Sequence, residues 1–173
     1  MAIHLQQILK LLLLKIFLIL FGFGALIIIS CQKEDRLLNV NYGNMLEILN
    51  VDDKCGEWGG DQKQLIIYRD DFKGQLLADY SEKMGNCDNV SESKITKSVK
   101  RIKITDEDSE LIIKIIDELT ENKINRKPTP SHSGIFNRII LSDSSMIIND
   151  FPSIELKNFK KLINKKIEQK QPH

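Results

Sequence analysis

The side chains best equipped for chemistry are three cysteines, Cys31, Cys55 and Cys87, the internal histidine His132, and the single tryptophan Trp58. A thiol can be acylated, oxidised or bound to a metal, an imidazole can move a proton or ligate a metal, and an indole can stack on a sugar ring or a partner's surface. Spacing removes several of these options. There is no CxxC, HxxxH or HExxH arrangement, so no metal site is expected, and no GxSxG elbow surrounds Ser131 or Ser133. His132 follows Pro128-Thr129-Pro130-Ser131, and it becomes a general base only if folding brings Glu57 or Asp61 to it. The plainer alternative is a loop imidazole bonded to a neighbouring hydroxyl. The glycines of Gly56-Glu57-Trp58-Gly59-Gly60 suggest a phosphate cradle, but Asp61-Gln62-Lys63 and a strand follow where such a loop needs a lysine, a hydroxyl and a helix. Trp58 then has two readings, an exposed stacking surface for a sugar or partner, or a lid packed over a disulfide between Cys55 and Cys87.

Cys31 sits at the sharpest junction in the chain. His4 and Lys10 precede an apolar stretch from Leu11 to Ile29 broken by Lys15, and Ile28-Ile29-Ser30-Cys31 gives way to Gln32-Lys33-Glu34-Asp35-Arg36. Aliphatic residues, a small residue and then a cysteine resemble the lipobox of bacterial lipoproteins. That resemblance implies a signal peptide over residues 1–30, cleavage before Cys31, and diacylglyceryl and further acyl chains on Cys31. A permanent transmembrane helix is the competing reading, but Ile16 to Ile29 supplies only 14 uninterrupted residues where a span needs about 20. Lys33-Glu34-Asp35 is similar to the surface-export signal of Bacteroidetes lipoproteins, which implies an outer-membrane anchor with the domain facing outward. A charged run is equally what a solvated tether needs, with the domain on the periplasmic face.

Removing residues 1–30 removes Lys10 and Lys15 and no acid, leaving 23 basic and 24 acidic residues. A net charge of −1 offers no field for nucleic acid. With Cys31 acylated, two thiols remain in an exported chain, and they are read as a Cys55–Cys87 disulfide closing across the base of a hairpin.

The elements that must position these residues follow from period and punctuation. Residues 31–44 read as a flexible tether and 45–170 as one domain. Met45 to Val51, Gln64 to Arg69, Gln75 to Tyr80, Val99 to Ile104, Ile135 to Leu141 and Met146 to Asn149 read as strands. Thr105 with Asp108 three residues on opens a helix to about Asn122 whose buried stripe is Ile112, Ile115, Ile116 and Leu119. Phe151-Pro152-Ser153 opens a second helix, with Leu156, Phe159, Leu162, Ile163 and Ile167 inward. The expected fold is α+β, a mostly antiparallel sheet of five or six strands with two helices on one face. The expected function is a tethered, non-catalytic binding module for a protein or glycan, without a cofactor; the alternatives are a small hydrolase using His132 and a protein that neutralises a toxin.

Overall fold

In the computed structural model the described residues are Lys15, 37–72, 74–89 and 92–168; apart from Lys15, the stretch read as a signal peptide falls outside them, as do Cys31 and Lys33-Glu34-Asp35. Four consecutive strands, β1 (Leu46–Val51), β2 (Gln62–Arg69), β3 (Leu76–Met84) and β4 (Lys94–Lys103), lead into helix α1 (Asp106–Asn125). A hairpin of β5 (Ile135–Leu141) and β6 (Ile147–Ser153) precedes helix α2 (Lys157–Ile163), which runs on into a π-helical turn, Asn164–Glu168. The sheet has the order β4-β3-β2-β1-β5-β6 with every neighbouring pair antiparallel. This is the α+β arrangement that the patterning predicts.

Period two along the strands explains why the helices lie on one face. Leu46 and Ile48 of β1 stand in register with Ile67 and Leu65 of β2 and with Leu141 and Ile139 of β5, so one face becomes a continuous apolar surface. Against it pack Ile112, Ile115 and Leu119 of α1 and Phe159, Leu162 and Ile163 of α2. Each such side chain contributes on the order of 1.5–3 kcal/mol on burial.

Three segments differ from the sequence expectation, each for a local reason. Residues 37–44, read as tether, fold onto the domain: Leu37 packs against the core and Val40 is only 2 % exposed. The last helix starts at Lys157 rather than around Phe151-Pro152, because β6 continues through them; β6 is an edge strand, where a missing N–H breaks no inner ladder. Finally, strict alternation places Lys100 with Ile102 and Ile104. A bulge instead sets Lys100 and Arg101 opposite Asp79, with Arg101 at φ 56°, so that Val99 and Ile102 both turn inward.

The start of α1 is tied to the end of the chain. Thr105 Oγ1 accepts from the Asp108 N–H at 3.4 Å and Asp108 Oδ2 accepts from the Thr105 N–H at 2.8 Å, a closed capping box. Asp108 is fully buried, yet Lys165 Nζ lies 3.0 Å from its Oδ1 and Lys166 pairs with its Oδ2. Burial alone would push this carboxyl up; the Lys166 ammonium, the Thr105 N–H and hydroxyl, and Lys165 outweigh it and hold the pKa down to about 2 from 3.8. A carboxyl depressed by folding adds stability above its unfolded pKa and loses it as the pH falls through the folded one. Roughly 2 kcal/mol should therefore vanish between about pH 4 and pH 2. Urea midpoints across that range should fall less steeply in Asp108→Asn than in the wild type, and identical slopes would show that this cluster carries no such linkage.

Candidate functional site

The β1–β2 connection, residues 52–61, leaves the sheet at the end where β3 finishes and β5 begins, since Val51 is paired with both Gln62 and Phe136, and Gln62 with Lys83. Cys55 in this connection is bonded to Cys87, just beyond β3, with a Cα–Cα distance of 5.0 Å. The disulfide thus closes across the base of the β2–β3 hairpin, as the cysteine count predicts.

A set of carboxylate hydrogen bonds reinforces it. Asp52 Oδ1 accepts from the backbone N–H of Asp61 at 2.8 Å and of Lys54 at 3.1 Å. Asp61 Oδ1 in turn accepts from the Gly85 N–H at 2.9 Å and from Lys54 Nζ at 3.2 Å. Two glycines are required by close approach rather than by turn type. A Cβ on Gly85 would stand 2.6 Å from the Gly60 carbonyl oxygen, and one on Gly60 would stand 1.9 Å from Asp52 Oδ1. Between these ties the backbone of Gly56–Trp58 makes a single 3-10 turn, with Gly59 at φ +79° closing it by an N–H bond to the Gly56 carbonyl. The side chain of Trp58 lies outside the described part of the structure.

His132 is on the connection from α1 to β5, which reaches the sheet at this same end because Phe136 pairs with Val51. It is exposed, and no described residue bonds to it. Ser131 and Ser133 bond to one another instead, through the Ser131 hydroxyl and the Ser133 backbone. Of the acids that could serve it, Asp61 is engaged by Lys54 and Gly85, and Glu57 lies on the 3-10 turn. Folding brings the two loops to one end of the sheet, but among the described residues no acid–base pair forms around the imidazole.

A cleft of about 200 Å³ opens beside this end, between α2 and the β1–β2 pair, lined by Asn50, Lys63, Glu155, Phe159, Lys160 and Glu168 among others. It falls below the roughly 300–1,000 Å³ of small-molecule sites, and its lining carries both signs of charge.

No protein-family model, curated protein or solved structure matches this chain. Among the described residues no group of three or more His, Cys, Asp and Glu is placed to hold a metal ion, and no helix is long and apolar enough to cross a membrane.

Sequence reasoning missed the polar chain that backs this end. Asn50 Nδ2 donates to Asn137 Oδ1 at 2.8 Å, and Asn137 Nδ2 donates to Ser153 Oγ and to the Ile154 carbonyl, both at 2.8 Å. The Ser153 hydroxyl donates to Asp150, which Arg126 holds with two hydrogen bonds of 2.6 and 2.9 Å. Asn137 and Asp150 are buried. Their signal was present: Asn137 is in phase with Ile139 and Leu141, and Asp150 with Ile148, so a polar residue occupies a core position of each strand.

The sheet face opposite the helices is the other surface available to a partner. Leu49, Ile66, Tyr68, Phe136 and Ile140 are half-buried there, crossed by a Glu47–Arg138 ion pair.

Proposed function

We propose that this protein is a lipid-anchored, non-catalytic binding module that presents its disulfide-pinned end to a protein partner. The observation that carries the reading is the pinning itself: one disulfide and the Gly85–Asp61 hydrogen bond hold residues 52–61 against the end of β3, and three further carboxylate hydrogen bonds brace the loop internally. A surface loop fixed before it meets a partner loses little conformational freedom on binding, which is how affinity is gained without new contacts. The small, mixed-charge cleft alongside favours a protein over a glycan or small substrate, and among the described residues His132 has no bonded acid to support hydrolysis. Acylation of Cys31 rests on the lipobox, and outward display from the outer membrane rests on Lys33-Glu34-Asp35.

A photo-crosslinking residue at Glu57, and separately at Gln64 in the middle of the open sheet face, tests the binding end in intact cells. A discrete adduct from position 57 supports the proposal, whereas an adduct from position 64 alone moves the site to the open face and refutes it. Cys31→Ala should abolish lipid labelling of the protein; undiminished labelling would remove the anchor. Protease added to intact cells should digest the domain, and full protection would place it on the periplasmic face.

A further inference from the structure

Of the hydrogen-bonded turns at the end of the sheet opposite the disulfide, three carry a large apolar side chain at the tip, while the β5–β6 turn, Leu141–Ser144, carries Ser142 and Asp143. In Leu37–Val40 the Val40 N–H donates to the Leu37 carbonyl, and Leu38 is exposed at 70 %. In Asn41–Asn44 the two end residues bond to each other, and Tyr42 is exposed at 68 %. In Asp71–Gly74 the Gly74 N–H donates to the Asp71 carbonyl, and Phe72 is exposed at 75 %. One guanidinium joins the first and the last of these turns: Arg69 donates from Nε to the Val40 carbonyl and from Nη1 to the Gly74 carbonyl, both at 2.9 Å. Turn tips are ordinarily Gly, Pro, Asn, Asp or Ser, so Leu, Tyr and Phe on three adjoining tips call for a cover.

Chain length says what covers them. Leu37, which packs against the core, is only six peptide links from Cys31, a reach of at most about 21 Å. We propose that Leu38, Tyr42 and Phe72 dock on the lipid bilayer beside the acylated Cys31, setting the domain upright with its disulfide-pinned end outermost. This rests on the lipid-anchor reading above. Acyl chains confine the patch within reach of the headgroups, and an aromatic ring with one polar tip, such as Tyr42, suits that depth.

The test uses the lipidated mature chain in vesicles containing brominated lipid, with intrinsic tryptophan as the probe. Wild-type protein reports from Trp58 at the far end; Tyr42→Trp and Phe72→Trp, each in a Trp58→Phe background, report from the turns. Quenching at positions 42 and 72 should exceed that of Trp58 roughly threefold, as for rings lying about 5–10 Å into the headgroup boundary. Quenching at both positions no greater than at Trp58, in protein whose intact mass includes the acyl chains, overturns the docking and leaves the anchor standing. An intact mass without acyl chains overturns the anchor, and the docking with it.

Discussion

Asp150→Ala is expected to destabilise the domain by about 3–5 kcal/mol, the cost of stripping one partner from a buried ion pair. Asp150 is 3 % exposed, and its oxygens hold the two terminal guanidinium nitrogens of Arg126 and the Ser153 hydroxyl. Removing it leaves the Arg126 guanidinium, only 29 % exposed, without its carboxylate and frees one end of the chain that satisfies Asn137. The double variant Arg126→Met with Asp150→Ala should recover a substantial part of the loss, because no uncompensated charge then remains. Urea midpoints at constant m-value measure both. A double variant no more stable than the sum of the singles would show that the pair acts only through packing.

The second large effect belongs to the disulfide. Replacing Cys55 and Cys87 together by serine should cost about 3–4 kcal/mol on the chain-entropy account, for a bridge spanning 32 residues. The hydrogen bonds of Asp52 and Asp61 set how far that loss spreads. If they hold the loop unaided, amide exchange will quicken only around residues 53–59 and 85–89; if they do not, it will quicken along β2 and β3 as well. Stability and exchange unchanged by the substitution would mean that the carboxylates alone pin this end.

How much of this was legible in the sequence varied by kind of interaction. Period and caps carried the sheet, both helix stripes and the Thr105–Asp108 box, because each depends on residues within one turn or one strand. The bulge at Lys100 and Arg101 was not legible: it answers to Asp79 on the neighbouring strand, whose Oδ1 accepts from both the Arg101 N–H at 2.9 Å and the Tyr68 hydroxyl at 3.0 Å. Residues 37–44 misread for a similar reason. Their polar, glycine-containing composition is that of a linker, and what orders them lies far along the chain: Arg69 on Val40, and Asp143 and Ser142 on the Asn44 side chain. The candidate binding end was half legible. Cysteine counting paired Cys55 with Cys87, but the fit of Gly85 against Gly60 depends on two loops meeting.

The position of β1 also dictates the order in which the domain can be completed. β1 is central, yet one of its neighbours is β2, close behind it, and the other is β5, with Leu46 facing Leu141. A chain emerging amino end first can zip β1 to β4 into a meander at small loop-closure cost, but one edge of β1 stays open until Leu141 has appeared. Asp108 waits longer, since Lys165 and Lys166 come in the last turn. Loss of the final two helical turns should therefore leave the sheet closed but its helix-covered face short of Leu162, Ile163 and Ile167, with a buried carboxylate short of its cations, rather than a smaller working domain.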